Sequence, residues 1–173
     1  TAENYSEFEV LTAAVENDVR ALKSKARDER DEFRETLVAR YMGHITAYLQ
    51  SAQEYANPVL VYMIMWLVDL GRIADFVKLG FIAVAQNQAM PVGFKRNLET
   101  FLADSVFEWA EKEYKLENSV SPYFNQVFEK LDEWTVPNVV KLKFNKLAGF
   151  IAFDDKDDAN AIKYFEAAIS YEE

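Results

Sequence analysis

The sequence predicts an all-α chain of about seven helices: a long N-terminal amphipathic helix followed by a stack of helical hairpins. Three observations point there. Apolar residues recur at steps of three and four from Phe8 to Leu49, the helical period. Glycine (5) and proline (4) are scarce among 173 residues, too few for a fold made of many tight turns. Two of the four prolines follow residue types that start helices, in Asn57-Pro58 and Ser121-Pro122.

The first segment, from about Asn4 to Leu49, carries Phe8, Leu11, Val15, Val19 and Leu22 on one stripe, and Phe33, Leu37, Tyr41, Ile45 and Tyr48 continue it. Ala26–Glu32 between them is almost wholly charged. One uninterrupted helix would be roughly 70 Å long at 1.5 Å per residue. The expectation is a long helix with a break or exposed stretch, placed near Gly43. Its narrow stripe suits a helix partner in the same subunit or another, and Phe8, Leu11, Val15, Val19 and Leu22 are the candidate oligomerisation residues.

Asn57-Pro58 opens the second helix, which is apolar on nearly every side to Leu70 and stops at Gly71. It is the expected buried centre. A third helix follows from about Arg72 to Asn87, and Met90-Pro91-Val92-Gly93 is a loop. The fourth covers Phe94–Lys115, opened by Lys95-Arg96. The fifth runs from Ser121-Pro122 to near Trp134, and the sixth from Asn138 to Phe153. After the acidic loop 154–158 the seventh helix, Ala159–Tyr171, has the small-residue pattern of a tetratricopeptide-type second helix. The expected division is an N-terminal arm, 1–50, for oligomerisation and DNA contact, and a helical core domain, 51–173.

Half of the residues are apolar, enough for a core. Cysteine is absent, which excludes disulfides and thiolate chemistry. No secretory signal pattern is visible, and the longest apolar run, near Val59–Val68, is too short for a bilayer. The expectation is a chain that is neither secreted nor membrane-bound.

The net charge of −10 disfavours bulk nucleic-acid binding, but it is uneven. Residues 1–19 carry five acids and no base; residues 20–40 carry seven bases against five acids. Arg20, Lys23, Lys25, Arg27, Arg30 and Arg34, with Lys95 and Arg96, are therefore the candidate DNA-binding residues, since lysine and arginine neutralise phosphates without reading sequence. The same pattern also fits a solvated face, with Asp28, Glu29, Asp31, Glu32 and Glu35 pairing along the helix.

No catalytic or metal-binding residue is assigned, and no cofactor. Asp69, Asp75, Asp104 and Glu108 are scattered, without the spacing of a two-metal site. Asp154, Asp155, Asp157 and Asp158 lack the turn glycine of a calcium loop and read as caps. His44 has no histidine partner, and no glycine-rich phosphate loop is present. Trp66, Trp109 and Trp134 fall on apolar stripes.

The stretch from Leu60 to Ala74, with Met63, Met65, Trp66, Asp69 and Gly71, resembles the central block of the M-type small terminase subunits of temperate, contractile-tailed bacteriophages. Met90-Pro91, Lys95-Arg96, Val136-Pro137, Lys146-Leu147-Ala148-Gly149 and Ala161–Ile169 follow in the family's order. The resemblance covers about residues 20–171, and this chain is more acidic than the family pattern. It implies a ring-like homo-oligomer that recognises double-stranded phage DNA at the packaging site. It also implies a handover to a large terminase subunit, in the host cytoplasm during phage assembly. The family is often labelled a terminase endonuclease subunit, so metal-dependent cutting is the alternative. A helical-hairpin peptide-binding module is a further one, motivated by the last hairpin.

Overall fold

The computed structural model describes residues 2–172, with the side chains of 2–6 excepted. Glu3, counted above among the N-terminal acids, has its side chain outside the described residues. Every regular element is helical: α1 (Ala2–Ser24), a 3₁₀ turn (Arg27–Glu29), α2 (Arg30–Gln50), α3 (Pro58–Asp69), α4 (Ile73–Ala85), α5 (Leu98–Lys115), α6 (Tyr123–Phe128), α7 (Asn138–Asp154) and α8 (Asp158–Ile169). No strand occurs among the described residues, and no helix there is long and apolar enough to cross a membrane. The chain falls into two compact units, one reaching Phe94 and the other beginning at Lys95. Residues up to 50 therefore share a unit with α3 and α4.

The long first helix of the sequence prediction is two helices. The chain breaks in the charged stretch, where Ala26 is extended (φ −61°, ψ 153°), and not at Gly43, which lies inside α2. The physical reason is the lack of any apolar anchor between Ala26 and Glu32 beside a strong one further on. Folding back lets α1 bury Val15 and Leu22 against α2 and α3. The pairing is antiparallel about the break. Asp18 of α1 bonds Arg40 and Tyr41 of α2, and Phe8 meets Tyr55 edge-on at 5.1 Å between ring centroids.

Helix α3 is the centre of this first unit, as its composition predicts: Val59, Leu60, Val61, Met63, Ile64, Trp66 and Leu67 are buried. Asn57 caps it, its side chain accepting from the Leu60 amide at 3.3 Å, with Pro58 at the first helical position. Gly71, at φ +71°, ends it through bonds from Arg72 N to Leu67 O (2.9 Å) and Gly71 N to Val68 O (3.0 Å). Asn87, Glu117 and Lys156 adopt the same left-handed turn after α4, α5 and α7. Three of these four helix stops thus use residues other than glycine, which is how a glycine-poor chain turns so often.

In the second unit α5 begins after Asn97, which accepts from the Thr100 amide at 2.9 Å. Lys95 and Arg96 lie outside the helix they were expected to open. The fifth predicted helix is a single short segment, and Pro122 occupies its cap position where Ser121 was expected to cap. Leu102, Val106, Phe124 and Phe144 form the core, the two phenylalanine rings stacked at 4.9 Å. The α7–α8 hairpin closes tightly. A Cβ on Gly149 would lie 2.6 Å from the Phe165 ring, so only glycine allows this approach. Asp157 caps α8, accepting from the Asn160 backbone (3.2 Å) and side chain (2.7 Å). The acidic loop therefore works as a cap, as its composition suggests.

Candidate nucleic-acid interface

The turn joining α1 to α2 gathers the basic residues in an order the sequence does not show. Arg30 reaches back over the end of α1, its Nε donating to the Lys25 carbonyl at 3.1 Å and its Nη2 to the Lys23 carbonyl at 3.3 Å. A cation there satisfies carbonyls that have no helical partner and complements the negative helix end. Lys25 lays its ammonium over the Phe33 ring at 5.3 Å. Arg34 is drawn inward, with Nη1 2.6 Å from Asp31 and Nη2 3.0 Å from Asp69 on α3. Its Nε is buried without an acceptor among the described residues. Burial raises the Asp69 pKa; Arg34 opposes that rise and Asp31 adds to it.

These contacts sort the candidates. Arg30 and Arg34 hold the turn and its attachment to α3. Arg20, Lys23 and Arg27 are exposed and make no ion pair among the described residues; Arg20 contacts only the neutral side chain of Asn17. Asp28, Glu29, Asp31 and Glu32 are exposed on the same turn. The surface there is a mixture of signs in which three cations have no ion-pair partner among the described residues. In the second unit Arg96 pairs with Asp104 at 2.8 Å, and Lys95 is exposed.

The apolar stripe of α1 finds partners within its own chain. Val15 and Leu22 are buried, Phe8 packs on Tyr55, and Leu11 and Val19 are half-buried. Among the described residues of α1, Val10 is the large apolar one left exposed.

Sequence reasoning missed two polar arrangements. Asp18 accepts from Arg40 and from the Tyr41 hydroxyl, each at 2.6 Å, tying α1 to α2. Burial, with donation to Asp18, pushes the Tyr41 pKa up to about 12. Arg40 and Tyr41 lie 22 and 23 residues from Asp18 and reach it only because the break folds the helices together. The second is a network around Gln88, which accepts from the Asn57 amide at 2.8 Å and donates to the Tyr55 carbonyl at 2.7 Å. Tyr48 donates to Gln86 at 2.7 Å within it. Beside the network is a cleft of about 870 Å³ lined by Phe8, Leu11, His44, Tyr48 and Tyr55. His44 Nε2 lies 3.4 Å from Nδ2 of the Asn57 side chain; burial lowers its pKa and the Asn57 contact opposes this.

Three of the four acids weighed for a two-metal site are held by cations, and Glu108 makes no ion pair among the described residues. Asp69 pairs with Arg34, Asp75 with Arg72, and Asp104 with both Arg96 and Lys143. Among the described residues no three histidine, cysteine, aspartate or glutamate side chains are grouped to hold a metal ion. Trp66 is buried against Tyr41, and Trp109 meets Tyr123 edge-on at 5.7 Å.

Residues 12–139 match the family model described as phage small terminase subunit. The chain is also similar to a protein of Haemophilus phage HP1 (strain HP1c1) named as a probable terminase, endonuclease subunit. The two are 32% identical over 146 residues, which is 83% of this chain and 52% of that relative. The chain thus spans about half the length of the curated relative it matches. No solved structure matches it significantly.

Proposed function

Because the chain belongs to the phage small terminase subunit family, we propose that it is a non-enzymatic, oligomeric adaptor of viral DNA packaging. It recognises double-stranded DNA at the packaging site in the host cytoplasm and hands it to the large terminase subunit, which drives packaging and cutting. The observation that carries the DNA contact is the exposed trio Arg20, Lys23 and Arg27 at the α1–α2 turn, which makes no ion pair among the described residues. On a chain of net charge −10, contact with phosphate has to be local, and this turn presents three exposed cations without an ion-pair partner among the described residues. Arg30 and Arg34 belong to the scaffold that presents it. Lys95 is a second candidate contact, in the other unit.

The test is a salt-titrated mobility shift on packaging-site DNA with Lys23→Ala and Arg27→Ala combined. Each lost phosphate contact flattens the plot of log K against log salt by about 0.9, so the double variant should lose about 1.8. An unchanged slope would remove this turn from the interface.

Endonuclease activity is the second reading, favoured by the name of the HP1 relative. Incubation of the pure chain with packaging-site DNA and magnesium or manganese decides between them. Nicking without the large subunit replaces the adaptor reading.

A further inference from the structure

The second unit carries a groove with an apolar floor. Its volume is about 980 Å³, and it lies between the loop that follows α5 and the turn from α7 to α8. Phe124, Phe128 and Tyr164 line it with adjoining rings, the Phe128 centroid 5.7 Å from each of the other two. Ala148, Ile151 and Ala152 line it from α7. Ala148 and Ala152 are four residues apart, so they share one side of that helix, and their methyl groups leave room that longer side chains would fill. The groove is at the upper end of the roughly 300–1,000 Å³ of small-molecule sites, and several side chains of a polypeptide fit in it.

The rim shows what kind of polypeptide fits. Glu117, Asp154, Asp155 and Asp157 line the same groove, all exposed, and none makes an ion pair among the described residues. Asp154 accepts from the neutral Tyr114 hydroxyl at 2.5 Å, and Asp157 from Asn160. Lys115, on the rim, is taken by Glu111 at 3.0 Å, and Lys156, on the same turn as the aspartates, lays its ammonium over the Phe153 ring. The carboxyl ends of α5 and α7 both open here and add partial negative charge. Phosphate is repelled by such a rim, so the groove does not suit DNA. The basic turn of another copy does not suit it either. Arg20, Lys23 and Arg27 stand among the exposed acids Asp28, Glu29, Asp31 and Glu32, and no large apolar side chain is exposed between residues 20 and 32. Floor and rim are satisfied together by a segment that offers aliphatic or aromatic residues beside lysine or arginine, whose stems cover apolar surface while their heads reach carboxylates.

We propose that the groove between the α5–α6 loop and the α7–α8 turn docks a basic, partly apolar segment of a different protein. The contact does not rest on the packaging reading and forms without DNA.

A library of random peptides of about 12 residues, long enough for roughly three helical turns, is panned on the full chain. It should enrich sequences that join several lysines or arginines to aliphatic or aromatic residues. An enriched peptide, synthesised with a fluorophore, is then titrated by anisotropy. Glu117→Lys combined with Asp155→Lys should weaken binding roughly 10- to 30-fold, since two attractions become repulsions. Glu129→Lys combined with Glu166→Lys changes the net charge equally at exposed positions outside the groove and should cost no more than about 2-fold. Serine in place of the peptide's apolar residues should weaken binding roughly 10-fold. All four altered positions are exposed, so far-UV circular dichroism and the thermal midpoint should stay close to the parent's. Panning that enriches no basic peptide, equal losses in the two double variants, or displacement by spermidine at the peptide's own concentration would overturn the proposal. So would self-association, followed by sedimentation velocity, that Glu117→Lys with Asp155→Lys abolishes, because the groove would then belong to a second copy. The mobility-shift test uses residues of the other unit, so either idea can fail without the other.

Discussion

Replacing Arg34 by alanine should cost stability and leave DNA affinity nearly intact, the reverse of what Lys23 and Arg27 should show. The Arg34 side chain is only 17% exposed and bridges Asp31 on its own helix to Asp69 on α3. The Asp31 bond is an i,i+3 pair to a well-exposed carboxylate and contributes about 0.3 kcal/mol. The Asp69 bond joins two helices. A charge-assisted bond of this kind contributes roughly 1.5–3 kcal/mol when sheltered, and about half of that with Asp69 half-exposed. Loss of the buried aliphatic stem adds a few tenths, for a total of about 1–2 kcal/mol. In a chain of this size that lowers the thermal midpoint by roughly 3–6 °C. Differential scanning fluorimetry, with urea unfolding as a check, measures it. Arg34→Met should recover the part due to the stem but not the ion pair. The reasoning is refuted if Arg34→Ala leaves the midpoint unchanged and lowers DNA affinity as much as the Lys23 and Arg27 double variant.

Two further outcomes follow from the packing. The folded-state pKa of His44 is lowered by burial, so the unfolded chain takes up the proton first as pH falls. Its stabilising contribution should be complete above about pH 6.5 and decline below that value; urea midpoints at pH 7.5 and 5.5 should show a decrease that His44→Gln reduces, and equal slopes for the two proteins would exclude His44 as the source. Gly149→Ala should destabilise the second unit by about 1 kcal/mol, because overlap with Phe165 outweighs the better helix propensity of alanine. A raised thermal midpoint would mean that the ring moves aside at no cost.

The helices themselves were written locally. The near-continuous apolar run of α3 can only be buried, and Asn57, Pro58 and Gly71 mark its ends by rules that act within a few residues. The stripe of α5 and the capping role of Asp157 follow from the same short-range rules. The stops at Asn87, Glu117 and Lys156 could not be read in that way, since no residue type announces them.

The basic stretch shows where local rules end. Seven bases between residues 20 and 40 are plain in the sequence, but not which of them are free. That depended on the chain breaking at Ala26 and turning back. The turn brings Arg30 onto the end of α1 and Asp18 onto Arg40, while the packing of α2 on α3 brings Asp69 to Arg34. The break itself has a long-range cause. A charged stretch permits either a straight helix or a turn, and the apolar surface that Val15 and Leu22 bury against α2 and α3 selects the turn. The same holds for the α7–α8 hairpin. Its residues were visible as helical from their spacing, but whether Phe150, Phe153, Ile162 and Ile169 lie inside or outside depends on which side of the hairpin α5 and α6 already cover. Helix formation is decided over a few residues, whereas the exposure of a side chain is decided by segments far away in the chain, and charge and apolar surface act on a partner only where they are exposed.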